Sequence, residues 1–123
     1  MNTNIDELKK RYPLTLNRDV NIENEFISKR FDKAWQIAKD AAVLLKDNYK
    51  ASKVFAFGSL TKRSSFNRWS DIDLAVEGVP DEIFYSAVGA VIGLSTEFKV
   101  DLVDIKDCGS SLRNTIEMEG III

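Results

Sequence analysis

Gly58 to Leu74 reads GSLTKRSSFNRWSDIDL: a Gly-Ser pair straight after the apolar run KVFAF, a basic loop, then two aspartates one residue apart. KVFAF, Lys53 to Phe57, is short, rich in β-branched and aromatic residues and stopped by a glycine, which reads as a buried strand entering a tight turn. The segment after the turn is expected to begin a short helix. DIDLAV, Asp71 to Val76, alternates, so Asp71, Asp73 and Ala75 share one face of a second strand and Ile72, Leu74 and Val76 the other. Two like charges on one strand face repel, and an unpaired buried carboxylate is costly or takes up a proton. The acid pair therefore demands compensation.

Outward from this stretch the periodicity changes. From Asn24 to Tyr49 the residues Ile27, Phe31, Ala34, Trp35, Ala38, Ala42 and Leu45 recur at three- and four-residue intervals, predicting a long amphipathic helix, with Trp35 in the core. A short first helix is expected over Ile5 to Tyr12. After the second strand, Pro80, Asp81 and Glu82 suit a helix's first turn, through the fixed φ of proline and the favourable dipole position of the acids. Phe84, Ala87, Val88, Val91 and Ile92 supply that helix's apolar stripe. FKVDLVDI, Phe98 to Ile105, predicts a third strand, and Ser110 or Ser111 caps a last helix carrying Leu112, Ile116 and Met118. Gly120 closes it, and Ile121 to Ile123 pair at a sheet edge or form a subunit contact. The order predicts an α+β fold, a small mixed β-sheet flanked by helices. With no linker or repeat, residues 1–123 are expected to form one domain, residues 1–20 being an N-terminal extension with a short helix.

Composition narrows the chemistry. Seventeen basic and nineteen acidic residues give a net charge of −2, so no global field draws the chain to nucleic acid or anionic lipid, and any anionic ligand must be held locally. No apolar run approaches the roughly 20 residues that span a bilayer. MNTNIDELKKRYP lacks the apolar centre of a signal peptide, making the cytoplasm the expected compartment. The single cysteine, Cys108, excludes an internal disulfide, and the absence of histidine excludes histidine-based acid–base chemistry and cysteine–histidine zinc sites. Cys108 has no histidine to activate it and reads as a packing residue. Carboxylates must carry any reaction.

Alone, Asp-x-Asp says little, because strand ends often bear acids for solubility. Here it coincides with a Gly-Ser turn at the end of one strand and with Asp101 inside the apolar VDLV. Magnesium prefers carboxylate, water and phosphate oxygens, and two such ions about 3.5–4 Å apart clamp both oxygens of an in-line phosphoryl displacement. Asp71 and Asp73 point the same way and both reach such ions; Asp101 completes a shell and helps orient or deprotonate an attacking hydroxyl. Without a side chain at Gly58, backbone N–H groups can approach a phosphate, and Ser59 adds a hydroxyl donor.

Gly58-Ser59, eleven residues, Asp-Ile-Asp, and VDLVD downstream resemble the minimal nucleotidyltransferases of the DNA polymerase beta superfamily. The resemblance runs from about Ala34 to Gly120 and includes SDIDLAVEG and the helix leading to EMEGIII. It implies that Gly58 and Ser59 hold a triphosphate, that Asp71 and Asp73 bind Mg²⁺, and that Asp101 is the third carboxylate. It further implies transfer of AMP from ATP to a hydroxyl. Larger members of the superfamily carry a helical acceptor-binding domain, for which this chain leaves no residues. Minimal members are often encoded beside a helical HEPN protein and, in toxin–antitoxin pairs, add AMP to a tyrosine of that HEPN toxin. The leading expectation is therefore an antitoxin that AMPylates a HEPN partner. A contact-only binding subunit and a small-molecule nucleotidyltransferase are the alternatives. Direct nucleic-acid binding is not expected from an acidic chain without a basic groove.

Within the loop, Lys62, Arg63 and Arg68 stand where cations meet a triphosphate, and equally where a solvated loop carries charge. Ser70 joins the expected nucleotide-binding set or shapes the turn, orienting Asp71. Trp69 reads as packing in preference to base stacking, and Asp104, on the strand face opposite Asp101, as a surface or supporting residue.

Overall fold

The computed structural model describes residues 13–123. The expected helix over Ile5 to Tyr12 lies outside the described residues. The first element, α1 (Pro13–Tyr49), is longer than the apolar stripe predicts. Pro13 stands at its first position, where a missing N–H is no loss. Its turns from Ile22 to Phe26 are solvent-exposed, and only from Ile27 onward does one side become buried, through Ala34, Ile37, Ala38, Ala41, Ala42 and Leu45. Periodicity reports burial, and the exposed turns therefore leave no periodic trace. The helix stops at Lys50, whose φ of +65° is left-handed, while the Ala51 N–H reaches back to the Leu45 carbonyl at 3.1 Å.

Strand β1 (Lys53–Phe57) follows, then two short 3₁₀ turns, Gly58–Thr61 and Arg63–Ser65, where a short helix is expected. Next come β2 (Ile72–Glu77), α2 (Asp81–Ile92), β3 (Val100–Asp104), α3 (Ser110–Glu119) and β4 (Ile121–Ile122). The sheet order is β3-β2-β1-β4. β1 is antiparallel to β2 and β4, whereas β2 and β3 are parallel, with α2 as the crossover such a pair requires. The fold is α+β, as expected.

The period of two along each strand separates the two faces. Val54, Ala56, Ile72, Leu74, Val76, Val100 and Leu102 face the main core, with the buried side of α1 and with Ala87 and Val91 of α2. On the other face Ala75 packs with Ile105 and Ile116 of α3, flanked by Phe55, Phe57 and Val103. This second cluster is small and leaves the end of the sheet that bears Asp73 and Asp101 only partly buried.

Four local expectations are corrected. β3 is shorter than Phe98 to Ile105, although flanking backbone bonds, Ile72 N–H to Lys99 carbonyl at 2.9 Å and Ile105 N–H to Val76 carbonyl at 3.0 Å, extend its alignment. Gly109 is the N-cap of α3, and Ser110 and Ser111 are already helical, with no side-chain capping bond. Met118 is 85% exposed and Ile92 52% exposed, so neither belongs to its helix's buried stripe. Trp35 packs only at the core's margin, edge-on to Phe31. Gly120 closes α3, and Ile121 and Ile122 pair with β1 as an edge strand.

Candidate active site

The site is built across one end of the sheet. Register aligns Phe57 of β1 with Asp73 of β2, and Asp73 with Asp101 of β3, so these three form a row perpendicular to the strands. Asp71 immediately precedes β2. Gly58 turns the chain at the end of β1 with φ +72°. A Cβ there would lie 2.5 Å from Asp73 Oδ2, so glycine is required both by backbone conformation and by the carboxylate pressed against it. The Thr61 hydroxyl holds the turn by donating to the Gly58 carbonyl at 2.8 Å, and the buried Leu60 anchors it in the core. Because the turn is a single 3₁₀ element, it offers an anion close backbone N–H approach but not the dipole of a long helix.

The electrostatics match this crowding. The Asp73 carboxyl is held above the ordinary carboxylate range, first by burial and then by the charges of Asp101 and Asp71, with Lys99 opposing. Lys99 Nζ lies 3.8 Å from Asp101 Oδ2, an exposed pair that offsets only part of the repulsion. A divalent cation would remove the remainder. The donor set, three partly buried carboxylates converging from β2 and β3, fits a hard oxygen-seeking ion such as Mg²⁺.

Among the described residues, the tightest carboxylate group lies elsewhere. Asp81, Asp104 and Asp107 place oxygens within 4.8 Å of one another. Lys106 already fills that cluster, its ammonium 2.6 Å from Asp81 Oδ1, 2.9 Å from Asp104 Oδ2 and 3.6 Å from Asp107 Oδ2. Hydrogen bonds to Asp81 and Asp104 hold the lysine's pKa above its usual value. This explains how Asp104, facing away from Asp101 into the buried side of β3, tolerates 6% exposure. Among the described residues, the Asp71, Asp73 and Asp101 group is met only by the exposed Lys99, 3.8 Å from Asp101.

The basic loop divides. Arg63 donates to Ser28 Oγ at 3.0 Å and lies over the Phe31 ring. Arg68 pairs with Glu23 at 3.0 Å and lies over Phe26 and Trp69. Both guanidiniums thus tie the loop to α1. Lys62 makes no ion pair among the described residues and lines a cavity beside Gly58 and Ser59. Ser70 is buried, and its hydroxyl accepts from the Asn67 N–H at 2.9 Å, which shapes the turn before Asp71. Trp69 is 79% exposed, contrary to the packing role expected of it. Cys108 packs beside α3 and donates to the Ile105 carbonyl at 3.3 Å.

Arg30 escaped the sequence reading. Its Nη2 donates to the Ser70 carbonyl at 3.1 Å, its guanidinium lies 4.2 Å from the Phe98 ring centre, and its Nε is buried without a partner. One side chain therefore joins α1 to the residues entering both acid-bearing strands. Its spacing, three after Ile27 and four before Ala34, places an arginine on the buried stripe, the signal that could have revealed it.

The sequence model of the nucleotidyltransferase domain family matches residues 38–123, which contain the whole Gly58 to Asp101 row. The chain belongs to that family. No curated protein is similar enough to count as a relative. Among solved structures, the chain is similar to a toxin–antitoxin complex with AMP-PNP, at 26% identity and TM-score 0.54, over 65% of this chain and 66% of that one. It thus spans just under two thirds of that relative's length. An MntA–HepT toxin–antitoxin structure matches at 22% identity and TM-score 0.53, covering 72% of this chain and 69% of the other. A tri-AMPylated HEPN toxin of Shewanella oneidensis in complex with its MNT antitoxin matches at 22% identity and TM-score 0.54, over 72% and 70%. These last two likenesses establish the shared fold.

Proposed function

We propose that this protein is a Mg²⁺-dependent nucleotidyltransferase that moves AMP from ATP to a hydroxyl, the acceptor being a tyrosine of a HEPN-type toxin that the modification silences. The observation that carries the reading is the contact of Gly58 with Asp73 in register with Asp101, because it joins a phosphate-accessible turn to a row of carboxylates. The ATP-analogue complex and the AMPylated HEPN complex among the similar structures support the choice of nucleotide and acceptor.

In this account the Gly58–Ser59 turn and Lys62 hold the β- and γ-phosphates. Asp71 and Asp73, with Asp101 beside them, would hold Mg²⁺; when bound, the ion would neutralise charge on the phosphates. The acceptor hydroxyl attacks the α-phosphorus, the bond to the bridging oxygen of pyrophosphate breaks, and pyrophosphate leaves. Asp101, at the margin of the row, orients the hydroxyl and receives its proton. Positioning and charge compensation supply most of the rate in such chemistry.

Intact-mass spectrometry of a HEPN partner incubated with this protein, ATP and Mg²⁺ tests the proposal. The partner should gain one or more AMP units, and none with Asp71→Asn/Asp73→Asn. A stable complex that neutralises the toxin equally well with the double variant would replace the proposal with a contact-only antitoxin.

A further inference from the structure

The loop that leads into β2 is closed on itself before it reaches the acids. The Asn67 N–H donates to Ser70 Oγ at 2.9 Å, the Ser70 N–H to the Asn67 carbonyl at 3.1 Å and the Trp69 N–H to Asn67 Oδ1 at 2.8 Å. Asp71 comes next, whereas the register of β2 with its neighbours begins no earlier than Ile72. No strand partner therefore fixes Asp71. Its position depends on what holds the end of the loop, and Arg30 of α1 does so. Arg30 Nη2 donates to the Ser70 carbonyl at 3.1 Å, and that carbonyl belongs to the planar peptide unit that carries the Asp71 nitrogen. The same guanidinium lies 4.2 Å from the centre of the Phe98 ring. Phe98 precedes Lys99, whose carbonyl accepts the Ile72 N–H at 2.9 Å at the start of the β2–β3 pair. One rigid, planar group thus spans the point at which the chain delivers Asp71 on one side and Asp101 on the other.

We propose that Arg30 is a positioning residue for the transfer, setting Asp71 against Asp73 and Asp101 so that the three carboxylates can share one metal shell. The proposal rests on the nucleotidyltransferase reading. Arg30 acts through the Ser70–Asp71 peptide and the entry to β3, not by contact with the reacting atoms. Its Nε is buried without a partner, a cost that subtracts from whatever stability the side chain provides. Stability alone accounts poorly for an arginine on this buried stripe, where an apolar side chain would leave no donor unpaired. Arg30 also precedes residue 38, at which the match to the nucleotidyltransferase family begins.

Two readouts test it: thermal melts of the full chain over a titration of Mg²⁺ alone, and AMP transfer to a HEPN acceptor. Each is run on the wild type, Arg30→Met, Arg30→Lys and Val91→Ala. Methionine and lysine keep an unbranched stem, so both variants should retain the fold, which circular dichroism checks. Val91 is fully buried in α2, and its truncation supplies a less stable chain with Arg30 intact. In Arg30→Met the Mg²⁺ concentration at half of the melting-temperature gain should rise about ten-fold, and kcat should fall about ten-fold while the acceptor KM stays within about two-fold. Arg30→Lys keeps a donor for the Ser70 carbonyl but not the planar stack on Phe98, and should fall between Arg30→Met and the wild type. Val91→Ala should melt lower yet keep the wild-type Mg²⁺ midpoint and kcat. An unchanged midpoint and kcat in Arg30→Met would overturn the proposal, as would equal shifts in Val91→Ala, because lost stability would then explain both. A wild type that neither gains melting temperature from Mg²⁺ nor transfers AMP would overturn the nucleotidyltransferase reading itself, a separate outcome.

Discussion

Replacing Gly58 by alanine tests the contact on which the site is built. The backbone there is left-handed, φ +72°, which costs a residue with a Cβ about 1–2 kcal/mol. The added Cβ would meet Asp73 Oδ2 at 2.5 Å, so the carboxylate must retreat by about 0.9 Å to reach ordinary contact. Driving a half-buried side chain off its rotamer adds about 0.5–1.5 kcal/mol. Gly58→Ala is therefore expected to lose about 2–3 kcal/mol of stability in urea unfolding. Displacing the carboxylate proposed to hold the metal by nearly an ångström should slow transfer about a hundred-fold. The assay is pyrophosphate release with a HEPN acceptor, run well below the variant's melting temperature so that folded fraction does not enter. A variant that loses stability yet transfers AMP at the wild-type rate would refute the claim that Asp73's placement against this turn governs the chemistry.

Other perturbations separate structural from chemical roles. Gly89 lies inside α2, and a methyl group added there would meet nothing within 4 Å, so Gly89→Ala should raise stability by about 0.5–1 kcal/mol in the same unfolding assay and leave transfer unchanged. Arg30→Met removes a charged hydrogen bond to the Ser70 carbonyl and a close contact with Phe98, and should cost about 2 kcal/mol by denaturant unfolding. The Asp73 carboxyl has its folded pKa raised above the ordinary 3.8. Such a group contributes stability that is fully present below the unfolded pKa and lost as pH rises through the folded one. Without Mg²⁺, Asp73→Asn should therefore melt above the wild type at neutral pH, the gap closing as pH falls below about 3.8, whereas added Mg²⁺ should raise the melting temperature of the wild type alone.

How much of this was legible in the sequence depended on which force set each feature. The alternation in DIDLAV reported burial on one face, and the strand, its inward Ile72, Leu74 and Val76 and its outward Asp73 all follow in the structure. The turn at Gly58 was legible because a glycine that ends an apolar run marks the place where the backbone leaves the strand. Its reason, the Asp73 oxygen against it, depends on a register that no local pattern encodes. The exposed turns of α1 were missed because helical propensity without burial leaves no periodic mark. The uses of Arg63 and Arg68 depend on Ser28 and Glu23, some forty residues earlier in the chain. Arg30 and the filled acid cluster around Lys106 are likewise long-range, built from elements that only the fold brings together.

The central claim is that the Gly58, Asp73 and Asp101 row transfers a nucleotidyl group. Parallel reactions with ATP labelled in the α-phosphate and in the γ-phosphate, each with Mg²⁺ and a HEPN acceptor, test it most directly. Label should pass to the acceptor from the α position only, and not at all with Asp71→Asn/Asp73→Asn. Transfer from the γ position, or α-transfer undiminished in the double variant, would contradict the account.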